Sequence, residues 1–263
     1  MECNKILLEM AESYRYDLDT FEFRGELLAK LSLENVAKVE SMIRNDSDYL
    51  SAGDKTIAPR ENDLASGSTA YWAHQLSLLL NDGAVSGWSD RQVIEGLVRS
   101  VDRENSTHLN ADLVGINQTV ERIYGLFSNG ELLHLLKYPG DNYELVSVLS
   151  KPTVIVPDDK KHKERRNYSF ATKFCHYACF YLFEGGVEQD NYSIYDFVVA
   201  SAIPRYAEFY GIDFKSCDIQ NYSEYIGLVD SIIAASGSHI SRNGFDHLLW
   251  YYFKGRLKQL KKY

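Results

Sequence analysis

Residues 169–211 read SFATKFCHYACFYLFEGGVEQDNYSIYDFVVASAIPRYAEFYG. Two apolar stretches of helical length flank a Gly185-Gly186 break, and neither shows the period-two alternation of a half-buried strand. Outward from this segment the helical period persists. ELLAKLSLENVAKVESMI (26–43) repeats apolar residues at three- and four-residue steps, and STAYWAHQLSLLLN (68–81) opens on a Ser/Thr cap signal and closes on Asn-Asp-Gly. SDRQVIEGLVRSV (89–101), LVGINQTVERIYGLF (113–127), NYELVSVLS (142–150), NYSEYIGLVDSIIAAS (221–236) and NGFDHLLWYYFKGRLKQL (243–260) read the same way. The run TVIV (153–156), fenced by Pro152 and Pro157, is extended but too isolated to imply a sheet. Strands do not alternate with helices, so a doubly wound α/β fold is excluded and the expected class is all-α, or mainly α.

The chain has 263 residues, 45% hydrophobic and 25% charged, an ordinary globular composition with room for two modest lobes. RNDSDYLSAGDKTIAPREND (44–63) and KPTVIVPDDKKHKERRN (151–167) read as linkers, and a division into an N-terminal lobe 1–150 and a C-terminal lobe 151–263 is expected. The first nineteen residues carry acids and no extended apolar run, so they do not read as a signal peptide. No stretch is long and apolar enough to cross a bilayer. Four irregularly spaced cysteines, Cys3, Cys175, Cys179 and Cys217, suit a reducing compartment, and a cytoplasmic location is expected.

Net charge is −9, which counts against a simple nucleic-acid binder. The charge is unevenly spread, with 13 Lys/Arg against 24 Asp/Glu in residues 1–150 and 15 against 13 in the remainder. KKHKERR (160–166) and KGRLKQLKK (254–262) together hold ten basic residues and one acid. A polyanion would therefore meet the second half of the chain, unless both runs are merely solvated loop and tail.

Residues 169–183 carry one formal charge, Lys173, among four phenylalanines, two tyrosines and two cysteines. On a helix Phe170, Phe174, Tyr177, Ala178 and Tyr181 share the core face, which places Lys173 at its rim. Apolar surroundings disfavour the ammonium form, and only a neutral amine attacks carbon. The plain alternative is a lysine that lays its stem on apolar surface and keeps its head in water. Asp196 stands before an apolar helical stretch, three residues after Ser193, in a pattern that matches a capping box. A carboxylate fixed at a helix start can also stabilise cationic charge on a sugar. Cys175 and Cys179 with His176 between them lack a second ligand pair, and His74, His108, His134, His239 and His247 form no metal-spaced set, so no metal or cofactor is expected. Walker, dinucleotide-binding and G-x-S-x-G patterns are missing too.

The stretch SFATKFCHYACFYLF…SIYDFVVASAI resembles the catalytic segment of the 8-oxoguanine DNA glycosylase-like branch of the helix-hairpin-helix DNA glycosylases. Ala171-Thr172-Lys173 stands where that family has its lysine, and Tyr195-Asp196 where it has its aspartate. The likeness covers roughly 40 residues, with Phe245-Asp246-His247-Leu248-Leu249-Trp250 similar to divergent bacterial members, some associated with phage defence. The family's glycine-rich hairpin is replaced by Arg165-Arg166-Asn167-Tyr168-Ser169. The resemblance implies two helical lobes flanking a cleft, a DNA substrate, and excision of a modified base through a Schiff base on Lys173, with strand cleavage as a sequel. It implies that Asp196 stabilises the oxocarbenium-like charge, and that Lys160, Lys161, Lys163, Arg165 and Arg166 hold the DNA backbone. A non-catalytic member of the same fold, binding nucleic acid or a protein, is the alternative.

Overall fold

The computed structural model describes residues 18–45, 67–105, 107, 109, 114–153 and 167–253. The described chain is mainly helical, in the order β1 (Thr20–Phe23), β2 (Glu26–Ala29), α1 (Leu33–Asn45), α2 (Thr69–Asp82), α3 (Asp90–Asn105), α4 (Val114–Ser128), α5 (Glu131–Lys137) and α6 (Glu144–Leu149). There follow α7 (Tyr168–Leu182), a 3-10 turn (Val187–Asp190), α8 (Phe197–Phe209), α9 (Tyr222–Ser236) and α10 (Arg242–Phe253). The chain divides into two compact units, one of Met1–Leu50 with Ser193–Tyr263 and one of Ser51–Tyr192. The expected boundary at residue 150 is therefore misplaced. It falls inside the second unit, where α6 and α7 on its two sides pack against each other.

In the first unit the helix expected from residue 26 begins only at Leu33. Residues 26–29 form instead the second strand of an antiparallel hairpin, in register Thr20 to Ala29 and Phe23 to Glu26. The cause is the turn: Arg24 and Gly25 both take positive φ (53° and 77°), the two-residue reversal whose twist suits paired strands. Helix α1 then starts after Ser32, whose hydroxyl accepts the Asn35 amide at 3.2 Å. Asn35 is itself fully buried, with Nδ2 donating to the carbonyls of Asp19 and Lys30 and Oδ1 accepting the Asp19 amide. Helix α10 packs on α1, α8, α9 and β2. The tyrosine hydroxyls of Tyr206 and Tyr252 tie the helices to the hairpin through the Ala29 and Leu27 carbonyls. Arg205 and Glu26 form a buried ion pair at 2.6 Å between α8 and β2. Breaking one side of such a pair costs far more than replacing both.

In the second unit α7 packs on α2, α3, α5, α6 and the 3-10 turn. Helix α2 follows the reading closely: Ser68 caps it by accepting the Tyr71 amide, and Gly83 ends it at φ 76°. Trp72 is buried in α2 with its indole against two glycines. A Cβ on Gly96 would lie 2.3 Å from Trp72 Cδ2, and one on Gly67 would lie 2.3 Å from its Nε1. The α2–α3 approach thus depends on a missing side chain. Gly96→Ala is expected to cost about 1–3 kcal/mol by overpacking, despite the better helix propensity of alanine. Thermal unfolding reads this directly; an unchanged midpoint would mean that the indole shifts at no cost.

Candidate active site

Helix α7 carries Lys173, and its surroundings differ from the amphipathic helix expected. Phe170, Phe174 and Ala178 are buried as foreseen, but Tyr177 and Tyr181 are only half-buried, while Ala171, Thr172, Cys175, His176 and Cys179 are buried as well. With partners on several sides, α7 has no wet stripe at its centre. Lys173 is accordingly not a rim residue: it is 6% exposed. Its Nζ donates to the Asn105 carbonyl at 3.3 Å, and the Tyr177 hydroxyl donates to Asn105 Oδ1 at 3.3 Å. Asn105 is the last residue of α3, so its carbonyl belongs to the helix end that lacks intrahelical donors and carries partial negative charge. A lysine ammonium or amine is therefore received by a backbone dipole rather than left to bulk water. Asp102 shapes the chain just beyond, accepting the Thr107 hydroxyl at 2.6 Å and the Leu109 amide at 2.7 Å. Asn105 and Asp102 escaped the sequence reading, since a polar residue near a helix end carries no signal of what it faces.

Asp196 lies in the first unit. It is the N-cap of α8, with Oδ1 accepting the amides of Val198 (2.8 Å) and Val199 (3.0 Å), and is 8% exposed. The capping-box reading is thus corrected. In a capping box Ser193 would cap and Asp196 would reach back to it. Here Asp196 itself caps, and Ser193 turns to another carboxylate, Asp246 of α10, with Oγ at 2.9 and 3.0 Å from its two oxygens. Asp246 also accepts the Ile194 amide at 2.7 Å and is 3% exposed. In the sequence Asp246 stands within an apolar pattern, and its being the one acid in SRNGFDHLLWYYF is the local sign of a buried carboxylate. The neighbouring Tyr195 packs edge-on against Tyr225 and accepts from Gln220 Nε2 at 3.0 Å; burial pushes its phenol above the ordinary value.

Lys173 thus belongs to the second unit and Asp196 to the first. Lys160, Lys161, Lys163, Arg165 and Arg166 lie outside the described residues, as do the basic run 254–262, the TVIV run beyond Thr153 and nearly all of the two linkers. Asn167 stands at the N-cap position ahead of α7; its amide donates to the Ser150 carbonyl at 3.1 Å, and its side chain makes no cap bond.

Cys175 and Cys179 are buried in α7, and desolvation raises both thiols well above the usual range. Thiolate is the reactive form. Cys217, half-buried and outside the helices, is expected to react with a disulfide reagent at least about tenfold faster than either in the native protein, as mass spectrometry of timed labelling would show; equal rates would mean that α7 opens readily. Among the described residues no group of three His, Cys, Asp or Glu is placed to hold a metal. No described helix is long and apolar enough to cross a membrane. No family model, no curated protein and no solved structure matches the chain.

Proposed function

We propose that this chain is a DNA base-excising enzyme that uses Lys173 as its nucleophile and Asp196 as its electrostatic partner. The observation that carries the reading is the burial of Lys173, the one formal charge in the aromatic-rich helix α7, with its Nζ directed to a helix-terminal carbonyl. A cation placed there costs solvation that an idle surface lysine avoids. The carboxylate of Asp196, held by two backbone amides at the start of α8, supports it by offering a fixed negative charge.

The chemistry follows from these groups. The target nucleotide leaves the stack at a cost of a few kcal/mol. The neutral amine of Lys173 attacks the sugar C1′ while the N-glycosidic bond breaks, and its electron pair departs with the base, which takes up a proton. Asp196 offsets the oxocarbenium-like charge on the sugar. The adduct then passes an Nζ proton to O4′ as the nitrogen pair forms the C=N bond and the C1′–O4′ bond opens, leaving a Schiff base and a free 4′-hydroxyl, from which β-elimination can cut the strand. The modified base is the substrate class; phage DNA is one source of it. Lys160, Lys161, Lys163, Arg165 and Arg166 neutralise phosphates.

Two assays test this reading. Incubation with a panel of cellular and phage DNAs under borohydride should reduce the imine and yield a covalent protein–DNA product, and mass spectrometry should find a free base released. DNA that is bound without either product would make the chain a non-catalytic binder. For the basic run, joint neutralisation of Lys161, Lys163, Arg165 and Arg166 is expected to weaken binding equally across sequences. It should reduce the salt slope by up to about 0.9 per lost phosphate contact, without changing which base is removed. An unchanged slope would assign DNA binding to other residues.

A further inference from the structure

The two residues Ser193 and Ile194 precede Asp196 in a segment with no regular secondary structure, yet every one of their backbone polar groups is taken by a side chain. The Tyr222 hydroxyl accepts the Ser193 amide at 2.8 Å and donates to the Ser193 carbonyl at 2.6 Å. Asp246 accepts the Ile194 amide at 2.7 Å, and the Tyr225 hydroxyl donates to the Ile194 carbonyl. The Ser193 hydroxyl closes the set on Asp246. Tyr222 and Tyr225 lie on α9 and Asp246 on α10, so two helices grip one short stretch of chain from fixed positions.

This is a costly way to satisfy backbone. A carboxylate that is 3% exposed loses most of its hydration, and it is retained only where its hydrogen bonds replace that hydration. A helix or strand at 193–194 would satisfy the same backbone without a buried charge. What the clamp adds is a defined position for the chain two residues ahead of the α8 cap, whose φ and ψ (−140° and −179°) are those of extended backbone. That entry leads within two residues into the cap, where Asp196 Oδ1 accepts the Val198 and Val199 amides.

The geometry points to Asp246 as a positioning residue that acts through Ser193 and Ile194 to fix the Asp196 carboxylate. As a statement about catalysis, this rests on the reading of Asp196 as the group that stabilises the sugar cation. As a statement about geometry, it stands on the clamp alone. Asp246 does not touch the substrate; its effect is on where Asp196 sits when charge develops, and a displacement of about 1 Å there is enough for a large rate loss. Asparagine at 246 retains an oxygen for the Ile194 amide and a donor for Ser193 Oγ, and therefore preserves the clamp; alanine removes it.

Three variants and two readouts test the assignment. Asp246→Ala is compared with Asp246→Asn and with Tyr252→Phe, which removes a hydrogen bond from the same helix at the hairpin and leaves 193–194 untouched. Amide hydrogen exchange of Val198 and Val199, measured against Tyr206 and Ala207 in the second half of α8, reports the cap independently of any activity. In Asp246→Ala the first pair should exchange at least about tenfold faster relative to the second, and in the other two variants the ratio should hold. For base release, Asp246→Ala should lower kcat by about one to two orders of magnitude with KM within about twofold, Asp246→Asn should recover most of it, and Tyr252→Phe should match the wild type. Exchange in Asp246→Ala that rises uniformly along α8, or equal kcat losses in Asp246→Ala and Tyr252→Phe, would reduce Asp246 to a structural acid. Should Asp246→Ala not fold, Ser193→Ala removes one limb of the clamp and is judged by the same exchange ratio. A wild-type protein that releases no base would overturn the glycosylase reading and leave the exchange result to decide the positioning claim by itself.

Discussion

Lys173→Gln is expected to abolish borohydride trapping and to lower base release by about three orders of magnitude or more, because an amide nitrogen cannot form an imine. The fold should survive. The amide of glutamine can still donate toward the Asn105 carbonyl that receives Nζ at 3.3 Å. Thermal unfolding should therefore shift by no more than a few degrees, as for a change of about 1 kcal/mol or less. Lys173→Arg makes the stricter comparison. Arginine at this position offers donors but no nucleophile, since the guanidinium stays protonated, so DNA binding should persist while trapping disappears. Full base release by Lys173→Gln would show that water, not an amine, attacks the sugar, and the proposed Schiff base would have to be abandoned.

Asp196 is expected to separate cap from charge. Asparagine is as good an N-cap as aspartate, so Asp196→Asn should lose only the interaction of its charge with the helix dipole, about 0.3–1 kcal/mol. Asp196→Ala should lose the cap bonds to Val198 and Val199 as well, about 1–2 kcal/mol in all. Base release should not follow this order. Both variants lack the fixed negative charge, and both should fall by about two to three orders of magnitude under single-turnover conditions. Urea unfolding beside the kinetics decides the matter. If release tracks stability, with asparagine near the wild type and alanine impaired, Asp196 is only a cap.

Much of the helical order was legible because its signals are local. Ser68 and Gly83 bracket α2 where the residue chemistry said they should, and α3, α4, α7 and α9 begin and end within a few residues of the periodic stretches. The hairpin was missed for the opposite reason. ELLAKLSL has helical spacing, and no strand was read in Thr20-Phe21-Glu22-Phe23 before Arg24-Gly25; pairing with a partner strand overrode the local period. The burial of Lys173 was half legible. An aromatic-rich helix announced an apolar site, but whether a lysine stands at its rim or in its interior depends on how many helices surround it, and four do. Asp196 was recognised as belonging to a helix start, yet its role within the cap was assigned to Ser193, because the true partner of Ser193 lies 53 residues away. Which distant group Asp246 or Asn105 meets has no local signature, even where the burial of Asp246 does.

The division of the chain has a consequence for biosynthesis. The hairpin and α1 emerge from the ribosome before the rest of their unit, and the groups they need arrive late: Glu26 meets Arg205 after 179 residues and the Leu27 carbonyl meets Tyr252 after 225. At ordinary rates of synthesis that delay is about 10–45 seconds. During that interval the whole of 51–192 is made and can fold, while Leu28, Ala29, Val36 and Val39 lack the α8 and α10 residues that bury them in the native state. The nascent hairpin and α1 thus wait with these apolar side chains uncovered. A ribosome stalled before α10 should present them in a protease-sensitive form, even with the unit that carries Lys173 already synthesised.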